Sequence, residues 1–521
     1  MFEDIAPHRG AHGFHPAAGR FRRMMIRTAL LRKRLLVYVI TLVIFGGGIL
    51  LIIEGGRRLH ATRTRSENAA RPSTSTVDAR PHEGIAVSAQ ADIASGHRKD
   101  LRHPLSVLLL QVIAILLSAK VVGALLRKAG QPSVIGEMIA GIILGPSLLG
   151  VLWPNAMTFL FPQQSLDALG LLSQVGLVIF MFVVGMELDV QHLLGKAQAV
   201  LFISVVSILA PFFLGTVFSL VIYQNAAPAN INFTGFALFI SVAMSITAFP
   251  VLARILKEHE MSSSNLGNTA LACAAVNDVT AWCLLAVVIA IVKASGFGGA
   301  LSVISLTIIF TGLMLFVVKR QLGRIARRYR EGAVGGKGLV TVVLIFIFAS
   351  ALCTQVIGIH ALFGAFLAGV VMPSRAGLRE FLTERVGVFA TGFLLPLFFA
   401  FTGLRTQIGL LNDWISWLMC ACVVVVAIGG KLGGSMLAAR WTGMNWRDSF
   451  SLGALMNTRG LIELIVLNIG YDLGILSPRI FSMMVCMALV TTCMATPLMD
   501  CVGWKSKAAL RSLSSGKTLP A

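Results

Sequence analysis

The fold is decided by a run of 28 residues, NLGNTALACAAVNDVTAWCLLAVVIAIV at 265–292. The run is long enough to cross the roughly 30 Å hydrocarbon core of a bilayer as a helix. Asp278, near its middle, is the only acidic or basic residue in it. An ionisable side chain at that depth is costly and by default marks a functional site. The run therefore predicts a membrane helix that carries a functional carboxylate.

Twelve further apolar runs lie with it between residues 105 and 501. Over all 521 residues, 56% of the side chains are hydrophobic and 13% are charged, about half the charged fraction of a soluble domain. The strands of a membrane β-barrel are about 10 residues long and alternate in polarity, unlike these runs. The sequence therefore predicts an all-α polytopic membrane protein with a core of thirteen helices. The predicted segments are about 105–126, 134–152, 168–188, 198–223, 233–256, 265–292, 299–320, 338–357, 359–373, 388–404, 413–438, 448–470 and 479–501.

Basic residues are distributed unevenly between the loops on the two sides of these segments. If the core starts outside, twenty-one Lys and Arg residues lie in cytoplasmic loops and the tail, whereas only Lys293, Arg405 and Arg479 lie outside. Membrane proteins carry their excess of positive charge on the cytoplasmic side. The net charge of +21 therefore indicates topology, and we expect no nucleic-acid partner. Both chain ends are predicted to be cytoplasmic in a multi-pass protein of the bacterial inner (plasma) membrane.

The rest of the chain divides into parts with different compositions. Residues 1–34 are predicted to be a basic cytoplasmic N-terminus. The apolar run 35–53 lacks a clean small-residue cleavage site, which favours an uncleaved signal-anchor helix over a cleaved signal. Residues 54–103 show no apolar periodicity and are predicted to be a flexible extracytoplasmic linker. The membrane domain spans 104–501, and residues 502–521 are expected to form a short cytoplasmic tail.

Few ionisable side chains lie within the predicted segments. The candidates are Asp278, Lys431, Arg459, Glu463, Glu137 and His360. Arg459 and Glu463 are spaced i, i+4 and share a helix face, so both a structural ion pair and a functional role fit them. Lys431 lies among glycines, and either a structural counter-charge or a functional role fits it as well. Glu137 and His360 start their segments, where a cap or a solvent-facing group is the simpler interpretation.

Two segments carry helix-breaking residues at corresponding depth. In the fifth, the run SITAFP at 245–250 places Pro250 inside an apolar stretch. In the twelfth, the run NTRG at 457–460 combines polar residues with glycine. Because they are seven segments apart, the two helices run in opposite directions through the membrane. Paired broken helices of this kind indicate a transport site between inverted repeats, since the freed backbone groups must line a cavity or bind something. A simple kink remains open for either one alone.

Several motifs occur in order at the predicted depths. They are PSVIGE at 132–137 with GIILGP at 141–146, SITAFPVLARIL at 245–256, Asn277-Asp278 with Ala281-Trp282, and NTRGLIELIVLNIG at 457–470. In these motifs the chain resembles the monovalent cation:proton antiporter-2 family, and most of all its plant-type cation/H⁺ exchanger (CHX) branch. The resemblance covers about residues 104–500.

The resemblance implies a homodimer in which each protomer has a dimerisation domain and a mobile domain with two crossed broken helices. It implies that Asp278 binds the transported cation and the proton. Many members of the family have two adjacent acids, whereas this chain has Asn277 in the first position, which favours electroneutral 1:1 exchange. The family's lysine corresponds to Lys431, which then lacks its usual acidic partner, so its role is vacant or shared with Glu463.

The predicted function is secondary active transport, in which K⁺ or Na⁺ is exchanged for H⁺ by alternating access. Burial disfavours the charged form of Asp278, so either a proton or a monovalent cation neutralises it, and the two exclude each other. Oxygens of Thr247, Asn277 and the broken helices are expected to help bind the cation. The residues expected to support the site are Lys431, Arg459, Glu463, Asn457 and Pro250. We expect no cofactor besides the transported ions.

Other functions remain as alternatives. A gated K⁺ channel-like efflux protein on the same fold would pass cations without moving protons, and a non-transporting sensor would move neither. An intramembrane enzyme would need a nucleophile–His or metal constellation, which is not evident around His360 in the sequence, so we expect that the protein is not an enzyme. Dissipation of a pH gradient on addition of salt distinguishes the exchanger from the sensor.

Overall fold

The computed structural model describes residues 41, 43–57, 103–129, 131–187, 197–229, 231–258, 261, 264–293, 297–328, 337–373 and 378–503. These residues contain no β-strand, and the predicted all-α membrane fold is confirmed. The predicted N-terminus at 1–34, nearly all of the linker at 54–103 and the tail from 504 onward lie outside the described residues.

Sixteen helices form most of the described part of the chain, besides short helices such as Leu149–Leu152, Pro154–Leu160 and Leu378–Leu382. In chain order they are α1 (43–57), α2 (Pro104–Lys128), α3 (Ser133–Leu144), α4 (Gln163–Glu187), α5 (Ala197–Ala226), α6 (Phe233–Ser245), α7 (Phe249–Glu258), α8 (Asn265–Lys293), α9 (Phe297–Gly312), α10 (Lys337–Ile357), α11 (Ala361–Val370), α12 (Leu395–Arg405), α13 (Trp414–Ile428), α14 (Trp446–Met456), α15 (Leu461–Asp472) and α16 (Pro478–Cys493). Several of them continue directly into π-helical turns or short α-helices. These are Leu313–Val318 and Lys319–Arg328 after α9, Thr383–Gly387 and Ala390–Leu394 before α12, Gly429–Gly433 and Gly434–Trp441 after α13, and Ala495–Cys501 after α16.

Ten helices in this part of the chain are long and apolar enough to cross a bilayer, or eleven if α14 and α15 count as one bent span. Helices α6 and α11 are apolar but shorter, with 13 and 10 residues. Each of the thirteen predicted segments overlaps one helix or up to three consecutive helical elements. The number of complete spans stays a prediction.

Packing divides the core helices into two bundles. In the first bundle, α3 packs between α2 and α12, and α4 packs against α12 and α11, which in turn contacts α10. In the second bundle, α5 packs on α6, α8 and α13, while α14, α15 and α16 complete it. The approach of α13 to α5 requires glycine, because a Cβ added at Gly430 would lie 2.7 Å from the Cα of Pro211. Helix α9 connects the bundles along the chain.

Helix α1 packs against the second bundle. It runs to residue 57, four residues beyond the predicted anchor 35–53, of which residues 35–40 and 42 lie outside the described part. The rings of Phe45 and Phe213 meet edge to face, with centroids 5.5 Å apart. A Cβ added at Gly56 would lie 2.0 Å from the ring of Phe233, so the helices approach closely only because residue 56 is glycine.

Both predicted helix breaks are present, and their unwound segments contact each other. The first break separates α6 from α7 at residues 246–248, with Ile246 in an extended conformation. The second separates α14 from α15, whose axes differ by 41°. The amide of Ala248 donates to the carbonyl of Thr458 at 3.0 Å, and the hydroxyl of Thr247 donates to the carbonyl of Met456 at 3.0 Å. The two broken helices therefore cross at these residues.

Candidate functional site

Asp278 lies on α8 beside the crossing of the broken helices. Its side chain is 1% exposed. The backbone amide of Phe249, the first residue of α7, donates a hydrogen bond to its carboxylate. The second oxygen, Oδ1, has no hydrogen-bond partner among the described residues. A buried ionised carboxylate is stable only when it is paired, so Oδ1 is a position for a proton or a cation.

Asn277 faces α5 and the first break. Its amide is best satisfied with Nδ2 donating to the carbonyl of Ser204 at 3.1 Å and Oδ1 accepting from the hydroxyl of Ser207 at 3.0 Å. The hydroxyl of Thr247 lies 3.3 Å from the same amide. Asn277 thereby joins three elements: α5, α8 and the unwound segment between α6 and α7.

Lys431 lies in the π-helical turn after α13 and is completely buried. Its ammonium donates to the carbonyl of Ser207 at 3.0 Å and to the carbonyl of Ser245, the last residue of α6. In the favoured amide orientation the Asn277 oxygen lies 3.3 Å from Lys431 Nζ. Three neutral oxygens, from the backbone of Ser207 and Ser245 and from the side chain of Asn277, thus lie around the ammonium of Lys431, and its role in transport stays a prediction.

Arg459 and Glu463 lie within the second broken helix, and both are almost completely buried. The guanidinium donates to the carbonyls of Ala243 and Met244 at 2.9 and 2.8 Å, and to Glu463 Oε1 at 3.3 Å. Since α6 ends at Ser245, its last carbonyls have no partners further along the helix. Arg459 therefore ties the end of α6 to the start of α15, while Glu463 balances its charge.

Asn457 ends α14 at the second break. Its side chain is 1% exposed, and neither Oδ1 nor Nδ2 has a hydrogen-bond partner within the described residues. The residues on either side of it bind the first break, because the carbonyls of Met456 and Thr458 accept from Thr247 and Ala248. An unsatisfied buried amide costs about 1–3 kcal/mol per group. Asn457 thus adds a neutral polar side chain with free bonding capacity at the crossing.

The structure brings together Asp278, Asn277, Thr247 and Lys431, with Arg459, Glu463 and Asn457 on the opposing broken helix. Pro250 lies in the first turn of α7, next to Phe249. Glu137 and His360 lie in the first bundle, where His360 accepts from the amide of Leu362 at the start of α11. The sequence did not single out Ser204 and Ser207, because hydroxyls in apolar helices commonly bond within their own helix.

A family model described as "Sodium/hydrogen exchanger, transmembrane" matches residues 113–501. Among curated proteins, the Na⁺/H⁺ antiporter NhaS4 of Synechocystis is 44% identical over 395 residues, covering 76% of this chain and 96% of that protein. Cation/H⁺ antiporter 17 of Arabidopsis thaliana is 39% identical over 424 residues, covering 80% and 51%. K⁺/H⁺ antiporter 1 of Saccharomyces cerevisiae is 34% identical over 407 residues, covering 77% and 46%. The chain thus spans about half the length of the plant and yeast relatives.

The fold is similar to that of the sodium/proton antiporter MjNhaP1 from Methanocaldococcus jannaschii. The two superpose with a TM-score of 0.56 and 14% sequence identity, over 79% of this chain and 100% of the other. With a matched family model over most of the membrane domain and a bacterial relative that aligns over nearly its full length, the chain belongs to the sodium/hydrogen exchanger family.

Proposed function

We propose that this protein exchanges a monovalent cation, K⁺ or Na⁺, for H⁺ by alternating access. The observation that carries the proposal is Asp278 Oδ1, a carboxylate oxygen that is buried beside two crossed broken helices and has no partner in the described part of the chain. The relatives named above as Na⁺/H⁺, K⁺/H⁺ and cation/H⁺ antiporters support the same reaction.

The exchange follows from competition for one carboxylate. When Asp278 holds a proton it is neutral, and when it holds a cation the pair is neutral, so both loaded forms have the same charge. The unloaded carboxylate would be a buried charge, which is too costly to move through the protein interior. The protein therefore moves Asp278 from one side of the membrane to the other only while a proton or a cation is bound to it. Release of one ion on a given side requires capture of the other.

The charges around Asp278 support an electroneutral 1:1 exchange. Glu463 is paired with Arg459 at 3.3 Å, so this second buried acid already has a partner. Asn277 supplies a neutral amide beside Asp278, and its oxygen faces Lys431. Glu463 also has an oxygen without a hydrogen-bond partner, Oε2, but its carboxylate is in a salt bridge, whereas Asp278 has no salt-bridge partner among the described residues.

Asn457 and Thr247 would complete the coordination of the dehydrated cation. The oxygen of Asn457 has no partner of its own within the described part, and the unwound segments supply carbonyl groups at the same level. Neutral oxygens with one carboxylate suit a monovalent ion, because the charges of the cation and the carboxylate then cancel each other. The amide Nδ2 of Asn457 is free to donate to a water molecule retained by the ion.

The test is proton flux in proteoliposomes with an imposed pH gradient and a fluorescent pH reporter. We expect addition of K⁺ or Na⁺ to dissipate the gradient with the wild-type protein, and Asp278→Asn to abolish this response. Asp448→Asn is the matched control, since it removes a partly exposed carboxylate at the start of α14 and should transport normally. Coupled flux that persists in Asp278→Asn would refute the proposal. Cation uptake without proton movement would favour the gated channel.

For the assembly we propose a homodimer in the bacterial inner membrane, with both chain ends cytoplasmic. The excess of Lys and Arg in one set of loops supports this orientation. Helix α9 and the π-helical turn that follows it leave several large apolar side chains on the surface, including Leu301, Ile308 and Phe316. Such a face suits lipid or a second copy of the chain. Cross-linking in native membranes, with the ratio of monomer to dimer as readout, tests the assembly.

A further inference from the structure

Arg405, the last residue of α12, is held by a cluster of side chains from the end of α15. Its Nη1 lies 2.7 Å from Oδ1 of Asp472 and donates to Oδ1 of Asn468 at 3.1 Å. The guanidinium carbon also lies 5.3 Å from the centroid of the Tyr471 ring. Below, the Arg405 cluster means Arg405 with Asn468, Tyr471 and Asp472.

Further contacts support the cluster from both sides. The guanidinium stacks on Phe401 of its own helix at 4.3 Å, which fixes the direction of the side chain. Asn468 also donates to the hydroxyl of Thr402 at 2.9 Å. Just after α12, the backbone amide of Gln407 donates to the hydroxyl of Ser482 on α16 at 2.9 Å. A charged pair, the cation–π contact with Tyr471 and three hydrogen bonds thus connect the same two surfaces.

These surfaces belong to different bundles. Helix α12 packs within the first bundle, against α3 and α4, whereas α15 and α16 belong to the second bundle, which carries Asp278. Contacts between α12 and α15 are sparse compared with those inside either bundle. The Arg405 cluster therefore connects the two bundles at a place where α12 and α15 make few other contacts. It lies at the ends of α12 and α15 that lead into the loops 406–413 and 473–477.

A second ion pair at the same end provides a natural comparison. Asp413 and Arg479, at the starts of α13 and α16, lie 2.8 Å apart. The exposed fractions of their side chains, 42% and 38%, resemble the 40% of Asp472. Both helices belong to the second bundle, so this pair remains intact when the bundles move relative to each other. Of these two ion pairs, only Arg405–Asp472 joins one bundle to the other.

We propose that the Arg405 cluster is a latch that closes the path from Asp278 to this side of the membrane. The latch must open for ions to leave or enter here, because a side chain from each bundle is held in the cluster. It closes again as the second bundle returns. The proposal rests on the exchange reaction proposed above and adds the element that limits access on one side.

The test uses paired cysteines in a variant whose eight native cysteines are replaced by serine. The pair Arg405→Cys with Asp472→Cys is joined by a bifunctional thiol reagent that is cleaved by dithiothreitol. We expect cation-dependent proton flux to fall to background on cross-linking and to return after cleavage. The matched control, Asp413→Cys with Arg479→Cys, should keep its flux when cross-linked, because both residues move with one bundle. Undiminished flux in the cross-linked Arg405/Asp472 pair would overturn the latch.

Substitutions of Arg405 alone test the latch without a cross-link. Arg405→Ala should lower the cation KM on the side of the cluster several-fold while kcat is retained, and Arg405→Lys should restore part of the difference. Hydrogen–deuterium exchange of residues 461–472 should rise in Arg405→Ala, a readout that does not need transport. If the wild-type protein moves no protons, the exchange proposal fails; unchanged hydrogen exchange and KM in Arg405→Ala would contradict the latch alone.

Discussion

Replacing Arg459 by methionine should destabilise the protein strongly, because it removes the salt-bridge partner of Glu463. Arg459 and Glu463 are both almost completely buried, and their side chains meet at 3.3 Å. Methionine fills most of the space left by the arginine stem but offers no donor. The substitution leaves an uncompensated buried carboxylate and frees the carbonyls of Ala243 and Met244 from their donors.

The magnitude follows from these two losses. Removing one member of a buried ion pair costs about 3–5 kcal/mol, and each unsatisfied buried carbonyl costs roughly a further 1–3 kcal/mol. Glu463→Gln also leaves a buried charge unpaired, but it should cost less than Arg459→Met, because the amide oxygen still accepts from Arg459 and the two carbonyl bonds remain. The double variant Arg459→Met with Glu463→Leu removes the stranded charge and should recover most of the ion-pair cost, though not that of the carbonyls.

The assay is thermal unfolding of the purified protein in detergent, followed by intrinsic fluorescence, for the four proteins in parallel. The expected order of stability is wild type, Glu463→Gln, the double variant and Arg459→Met. Flux of the double variant in proteoliposomes shows whether the charged pair also contributes to transport. The reasoning is refuted if Arg459→Met unfolds at the wild-type temperature, or if the double variant is less stable than Arg459→Met.

Three further predictions concern single positions. Asn457→Leu should raise the cation KM about tenfold, the equivalent of about 1.4 kcal/mol, with little change in the pH dependence of flux; an unchanged KM would remove Asn457 from the coordination shell. Gly430→Val should prevent folding or lower the unfolding temperature sharply, because its Cβ would lie 2.7 Å from Pro211 Cα; normal thermal stability would contradict this packing. Hydrogen bonds from Ser416 hold the pKa of Asp413, which caps α13, below its usual 3.8. The stabilisation by this carboxylate is therefore complete above pH 3.8 and lost as the pH falls through the lowered pKa, so unfolding temperatures of wild type and Asp413→Asn should converge in acid.

The sequence was sufficient to locate the helix crossing because its signals are local. A carboxylate in the middle of an apolar run, and breaking residues in two runs of opposite direction, do not depend on tertiary contacts. The i, i+4 spacing also predicted that Arg459 and Glu463 share a face, and they meet at 3.3 Å. Each of these features depends only on which type of residue stands at a position, and this can be read directly from the sequence.

The partners of Lys431 could not be predicted in the same way. Its ammonium binds the backbone carbonyls of Ser207 and Ser245, and every residue carries a carbonyl whatever its type. The lysine also lies in a π-helical turn at Gly429–Gly433, which rotates the following turns of α13 relative to a regular helix. Such bulges often accompany functional sites, yet a glycine-rich stretch alone does not reveal one. The link from Arg459 to the carbonyls of α6 escapes prediction for the same reason.

The contact of α1 with α5 and α6 has a consequence for how this first helix is retained. Inside a bilayer, lipid chains are as apolar as the rings of Phe213 and Phe233. The hydrophobic effect therefore does not favour contact of α1 with the protein over contact with lipid. The attachment of α1 depends on close packing, in which ring atoms of Phe233 contact the backbone at Gly56. A single added methyl group at that position should therefore be enough to release the helix into the surrounding lipid, although the hydrophobicity of the sequence would rise.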